Sequence, residues 1–349
     1  MIRKLRLQNF RSYTDKTFSL NPLTNIIVGS NTTGKTNLLE AILVIRTGSS
    51  YRAKDVDLIS FHKRFTRLDA EDDGHSRIVK IERDKTPHKT IEINSKVYKR
   101  SSSGTKLPVI LFEPNHLRML NGSPERRRAY LDGFISQLSA GYGLAIRQYI
   151  RALSQRNSLL KSPQKPTKEQ LFPWNIRISQ TGGQIVRYRQ RLINMINENL
   201  SSIYTSLSGD GVKTLLIYNP QLPVMDYEEL LLTKLDNNIN DDLRSGFTAF
   251  GPHRDDFTFM FNNHPSISYA SRGELRTAIL SLKICELETI KKQSEYQPII
   301  LLDDVYSELD INRRTALNKY LTDTQSFITT TDADLVTKQM SLKSKIIKL

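Results

Sequence analysis

The residues Gly29-Ser30-Asn31-Thr32-Thr33-Gly34-Lys35-Thr36 stand between the apolar run at 25–28 and the stretch Leu38-Leu39-Glu40-Ala41-Ile42. This is the order strand, glycine loop and helix that a P-loop requires. Glycines at 29 and 34 let the backbone curl until its N–H groups face phosphate oxygens, and the helix start adds partial positive charge there. Lys35 is expected to reach the β- and γ-phosphates. Thr36 is expected to offer its hydroxyl to Mg²⁺, an ion that takes only one or two protein oxygens and keeps most of its waters. A nucleoside triphosphate is the expected ligand.

A second chemistry-bearing group lies far downstream, at Pro298-Ile299-Ile300-Leu301-Leu302-Asp303-Asp304. Four apolar residues read as a strand buried on both faces, and carboxylates at the C-terminal end of such a strand belong to a ligand site. Asp303 is expected to hold Mg²⁺ through water, and Asp304 to orient or polarise the water that attacks the γ-phosphate. Without the P-loop upstream, the same residues would read as a buried strand running into an acidic turn.

Strands at about 2–7, 16–19 and 25–28 lead into the P-loop helix, which runs to about Ile45. Residues 77–82 and 90–93 form an expected hairpin, and the acidic run Asp69 to Asp73 reads as a solvated loop. After the buried strand Val109 to Phe112, Pro114 and Gly122-Ser123-Pro124 break the chain, and helical patterns fill about 125–207. The turn at 162–167 and Phe172-Pro173 are expected to interrupt them, and no heptad repeat persists. Thr214 to Tyr218 and Phe257 to Phe261 read as strands, the second turning at Asn262-Asn263, with a helix at 227–235 and a loop at 236–242 between them.

Composition is that of an ordinary globular protein: 349 residues, 38% hydrophobic and 8% aromatic. No apolar run approaches the roughly 20 residues of a membrane span, and the basic start leads to no secretory h-region, so a cytosolic protein is expected. The single cysteine, Cys285, sits in a helical pattern as a small hydrophobe, and six scattered histidines have no zinc-like spacing. The net charge of +15 is uneven, with 13 basic and 4 acidic residues between Asn121 and Leu200. Arg126, Arg127, Arg128, Arg147, Arg151 and Arg156 lead that segment, and a polyanion is its natural partner. A solvated basic face is the alternative, with anionic lipid a weaker one because no apolar anchor face accompanies the charge.

Ser271-Arg272-Gly273-Glu274-Leu275-Arg276 opens a helix, where Ser271 also suits a cap, and Ser307-Glu308-Leu309-Asp310 follows the Asp pair. The order P-loop, serine-glycine helix start, Asp pair and SELD loop resembles the ABC-type ATPase heads of the SMC-like class. More narrowly, the chain resembles the RecF family of bacterial recombination mediators over nearly its whole length. The residues that carry this are 5–13 (LRLQNFRSY), Gly34 to Ile42 including Asn37, Ser50-Tyr51-Arg52, and Arg126-Arg127-Arg128 with Leu131-Asp132. Gln155-Arg156-Asn157, the run Leu301 to Asp310 and above all Gly251-Pro252-His253-Arg254-Asp255-Asp256 complete the set.

The resemblance implies an α/β fold, an ABC-type ATPase head with a mixed P-loop sheet and an inserted, mostly helical second lobe. Residues 1–115 and 241–349 are expected to form the head and 116–240 the basic lobe. It implies a weak DNA-dependent ATPase using ATP and Mg²⁺, which dimerises on ATP to clamp duplex or gapped DNA. With RecO and RecR it would promote recombinase loading at single-strand gaps during repair and replication restart. Residues 29–37 then bind nucleotide, Thr36 and Asp303 the metal, and Asp304 assists the water. Ser271 and Gly273 act on the partner's γ-phosphate across the dimer, with Arg276 and Asp310 nearby. The six arginines named above are the first DNA candidates, although Arg126 to Arg128 could instead be tied to carboxylates within the lobe.

Departures from the family pattern are Thr32-Thr33, Leu275 in the signature, and Phe112-Glu113-Pro114-Asn115-His116. After the last strand, Phe327-Ile328-Thr329-Thr330-Thr331-Asp332 offers hydroxyls where transporter ATPases place a histidine, and Thr330 is expected at the γ-phosphate. Slow hydrolysis that resets a clamp is therefore expected. A transporter's nucleotide-binding subunit is the main competitor, opposed by the missing histidine, the basic insertion and the roughly 230 residues between Thr36 and Ser271. Thr233-Lys234-Leu235-Asp236 matches a guanine-specificity motif but follows a helical pattern, and a scaffold without nucleotide control is opposed by the presence of both aspartates.

Overall fold

The computed structural model describes residues 1–84, 87–99, 101, 103–306, 309–331 and 344–349. Ser307 and Glu308 of the SELD loop, and Asp332 after the last strand, lie outside them. The chain opens with β1 (Ile2–Phe10), β2 (Tyr13–Ser19), β3 (Thr24–Val28), α1 (Lys35–Thr47), β4 (Phe65–Asp72), β5 (His75–Glu82), β6 (His88–Ile93), β7 (Lys96–Tyr98) and β8 (Val109–Phe112). Next come α2 (Arg118–Asn121), α3 (Pro124–Leu138), α4 (Ala140–Leu160), α5 (Lys168–Ser208), β9 (Thr214–Asn219), α6 (Tyr227–Asn237) and α7 (Ile239–Ser245). It ends with β10 (Asp256–Phe261), β11 (His264–Pro265), α8 (Ser266–Tyr269), α9 (Arg272–Gln293), β12 (Ile299–Leu302), α10 (Ile311–Leu321), β13 (Ser326–Thr330) and β14 (Ser344–Lys348).

Two compact units result, one of residues 1–116, 206–209 and 286–349, the other of 117–205 and 210–285. Residues 241–285, expected with the head, group by contacts with the helical unit. In the first unit, β14-β3-β13-β12-β8 form a parallel sheet, and β2-β1-β4-β5-β6-β7 an antiparallel one. Helix α1 is buried on nearly every face, its Leu38, Ile42 and Val44 joining Leu5, Leu7, Val79 and Phe327 in one core. Parallel strands buried on both faces read as continuous apolar runs, which is why Ile299 to Leu302 was legible.

The acidic run Asp69 to Asp73 is a correction. Residues through Asp72 continue β4, because Leu68 and Ala70 are buried on one face while Asp69 pairs with Arg67 and Glu71 with Lys4 on the other. Salt-bridged carboxylates mask the period-two signal there. Pro173 also fails to stop its helix: α5 runs 41 residues through it, since a proline so near the start forfeits few intrahelical bonds and Leu171 and Ile178 are fully buried. The expected loop at 236–242 is largely helical, the ends of α6 and α7 with Asn238 between them.

The second unit holds a small antiparallel sheet, β11-β10-β9, among its helices. Asn262 and Asn263 turn β10 into β11 with φ of 45° and 70°, the left-handed pair that a tight hairpin needs.

Candidate functional site

Neighbouring strands β3, β13 and β12 of the parallel sheet end on one edge, and each delivers part of the site there. From β3 the loop enters α1 through Gly34 at φ 102°, where a Cβ would lie 3.0 Å from both the Ser12 Oγ and the Tyr13 hydroxyl, which donates to the Gly34 carbonyl. Only glycine fits that passage. Thr32 is also left-handed, at φ 75°, an unusual state for a β-branched residue, held at the exposed crown of the loop beside Asn31.

Lys35 is only 5% exposed, and its ammonium donates to the carbonyls of Gly29 at 2.8 Å and Ser30 at 3.1 Å, which aims the charge at the loop's centre. The Thr33 hydroxyl donates to the same Ser30 carbonyl. Asn37, expected to bind nucleotide, donates to Ser12 and accepts from Arg52. That arginine also binds Glu40, which is fully buried and bonded by Arg11 and Ser50 as well. Burial alone would raise the Glu40 carboxyl, but its cationic and hydroxyl donors outweigh this and hold it at about 2. The Arg11–Glu40–Arg52 group thus fixes the outer face of α1, a role for Arg11, Glu40 and Arg52 that no local motif reveals.

Thr36 and Asp303, 267 positions apart, meet: the Thr36 hydroxyl donates to Asp303 Oδ1 at 3.1 Å. The same oxygen accepts from the Thr329 hydroxyl at 2.9 Å. Burial pushes the Asp303 carboxyl up and Asp304 adds to this, while the two hydroxyls oppose it. A buried carboxylate with clustered hard oxygens and a second carboxylate next in sequence fits Mg²⁺. Asp304 has φ 52°, and its N–H donates to the Thr329 hydroxyl at 2.8 Å, so its strained backbone is fixed by β13. Thr329, not singled out for a role in the sequence, is therefore the hydroxyl that ties both aspartates together. Thr330, the residue singled out, is buried and offers its carbonyl to the Gly29 N–H at 3.4 Å. Their alternation along β13 decides which of the two side chains reaches the aspartates.

In the second unit Ser271 begins α9 as a reciprocal cap: Glu274 N–H donates to its hydroxyl at 3.3 Å, and its own N–H donates to the Glu274 carboxylate at 2.7 Å. Ser271 is exposed and Gly273 half-buried.

The six arginines separate by burial. Arg156 is completely buried, bonded to Asp242, Asn175, Thr248 and the Leu235 carbonyl. Arg127 is 5% exposed and paired through both nitrogens with Asp256, at 2.6 and 2.7 Å. Neither is available for DNA here, which corrects the expectation for both. Arg128 donates to the Asp255 carbonyl, while Arg126, Arg147 and Arg151 are exposed. The most specific string explains this: Asp256 takes Arg127, the Pro252 carbonyl takes Arg189, and His253 bonds Tyr149 at 2.5 Å. Gly251 lies against the same tyrosine, where a Cβ would come within 2.4 Å of its hydroxyl. The string at 251–256 thus binds Arg127 and Arg128 of another string, together with Arg189 and Tyr149, inside the helical unit.

The chain matches the RecF/RecN/SMC N-terminal domain family over residues 1–348. It is 34% identical to the DNA replication and repair protein RecF of Natranaerobius thermophilus, covering 99% of this chain and 94% of that protein. With RecF of Clostridium tetani it shares 31%, covering 100% and 97%. Among solved structures, the recombination mediator RecF-ATPrS of the RecFOR pathway aligns with a TM-score of 0.87 at 29% identity, covering 100% of this chain and 96% of that one. RecF-ATP of the same pathway aligns at 0.85 and 30%, covering 95% and 92%. An Smc head bound to the C-terminal winged-helix domain of ScpA, at 0.57 and 17% over 99% and 93% of the chains, shares the fold. The fold is that of an ABC-type ATPase head, and the chain belongs to the RecF family of DNA replication and repair proteins.

Proposed function

We propose that this chain binds ATP with Mg²⁺ at the P-loop and the Asp pair, dimerises when it does so, and in that state clamps duplex or gapped DNA. Hydrolysis is slow and resets the clamp, and with RecO and RecR the clamp promotes recombinase loading at single-strand gaps. The observation that carries the reading is the hydrogen bond from Thr36 to Asp303, which joins the end of the glycine loop to the end of β12.

Lys35 and the N–H groups of the loop hold the phosphates, Thr36 and Asp303 hold the metal, and the carboxylate of Asp304 orients the attacking water and draws on its proton. When bound, Mg²⁺ neutralises charge that develops on the phosphate oxygens. Ser271 and Gly273, at the exposed start of a 22-residue helix, act on the nucleotide of a second copy.

Asp304→Asn tests the division of labour. It is expected to retain ATP binding and lower kcat by about 10²–10⁴, whereas Lys35→Ala should lose binding itself. Full hydrolysis by Asp304→Asn, measured by phosphate release with gapped DNA present, would remove Asp304 from the reaction.

A further inference from the structure

Four guanidinium groups line one depression of about 400 Å³ in the helical unit: Arg118, Arg126, Arg272 and Arg276. Among the described residues no carboxylate lines it. Arg118, Arg126 and Arg272 are exposed, and among the described residues their side chains make no hydrogen bond or ion pair. This sets them apart from Arg127, Arg156 and Arg189 in the same unit, which are buried against Asp256, Asp242 and Asp132. The unit thus neutralises its structural arginines and leaves Arg118, Arg126 and Arg272 unpaired among the described residues.

The arrangement is built by the chain. Gly122 separates α2 from α3, and a Cβ there would sit 2.3 Å from the Arg118 carbonyl and 3.1 Å from Arg126 Cδ. Glycine alone permits the turn that brings those two arginines to one wall. Arg272 and Arg276 are one turn apart on α9 and supply the other, over the buried Leu275. Arg272, Leu275 and Arg276 belong to the signature string, whereas Ser271 and Gly273 are not among the lining residues, so the depression adjoins the pair expected to meet a partner's nucleotide.

We infer that this pocket holds a backbone phosphate of DNA. Guanidinium forks match phosphate oxygens in pairs, and charges of one sign around a concave wall concentrate the field on a single anion. An open pocket with three exposed arginines suits a phosphodiester that arrives as part of a strand. The inference rests on the DNA-binding reading above and adds where the strand is gripped: at the start of α9, next to the residues that would sense a partner's nucleotide.

The test is the salt dependence of binding to a fluorescent gapped duplex, with ATP and Mg²⁺, for the wild type, Arg118→Gln/Arg126→Gln and Arg118→Lys/Arg126→Lys. The Gln pair should weaken binding by about thirtyfold near ~0.1 M salt and lower the slope of log affinity against log salt by about two. The Lys pair should keep the slope and lose part of the affinity. Fluorescent-nucleotide binding and the melting temperature should match wild type in both, and the single Gln variants, each lowering the slope by about one, serve if the pair fails to fold. A wild type that binds DNA together with a Gln pair of unchanged slope would overturn the pocket and leave the DNA reading intact. A wild type without affinity for duplex would end the DNA reading itself. Loss of ATP-driven dimerisation at an unchanged slope would assign the arginines to the partner's nucleotide and overturn the inference.

Discussion

Asp303 Oδ1 accepts two hydroxyls, from Thr36 and Thr329, and Thr329 also receives the Asp304 N–H. One β-branched side chain therefore positions both carboxylates. Thr329→Val keeps the shape and deletes the hydroxyl, which leaves buried polar groups without a partner. It should cost about 1–3 kcal/mol of stability and lower kcat about 10–100-fold, with unchanged phosphate release as the contrary result. A second residue reports through protons. Burial lowers His253 to about 4, Arg254, Arg128 and Arg189 add to this, and the Thr248 carbonyl opposes it. An unfolded histidine titrates near ~6.5, so this contribution to stability is complete above that pH and is lost as pH falls from there through about 4. Its slope is at most about 1.4 kcal/mol per pH unit. NMR should find the His253 ring neutral at pH values where an exposed histidine is charged, and ordinary titration near ~6.5 would contradict the burial argument. At this scale Lys35, Thr36, Asp303 and Asp304 could be proposed from sequence because their motifs are local. Thr329 and Glu40 were not, since their roles depend on which face a strand or helix presents.

Elements were legible where one periodicity dominates: the buried runs of β3, β8 and β12, the alternation of β10 and the helix α9. They were hidden where charge pairs occupy one face, as in β4, or where a proline falls in an early turn, as in α5. The start of α9 carries two readings of Ser271 that local structure alone does not separate, because capping would suffice to place a serine there. Glu274 supplies the other half of the cap without facing any nucleotide role. Ser271→Ala and Glu274→Ala should each cost about 1 kcal/mol. Only Ser271→Ala should also abolish ATP-driven dimerisation, read by light scattering; equal dimerisation by both variants would reduce Ser271 to a cap.

For the whole molecule, the charge of +15 is less of a DNA footprint than it looked. Between 121 and 200, Arg127, Arg156 and Arg189 neutralise carboxylates inside their own unit, and Arg187 pairs with Glu228 at its surface. Sequence shows how many charges a segment carries, whereas burial decides which of them a polyanion can reach. Arg118, Arg126, Arg147, Arg151 and Arg272 are the exposed arginines that the proposed DNA reading leaves as candidates. On the proposed function the head and the signature helix work together through a second copy and its nucleotide, so the central claim is that ATP, DNA and dimerisation are one coupled event. Sedimentation of the full chain with a fluorescent gapped duplex, in ATP, in ADP and without nucleotide, tests this directly. The account predicts a protein dimer on the DNA in ATP alone, dispersing at raised salt. Equal DNA binding by a monomer in all three conditions would contradict it.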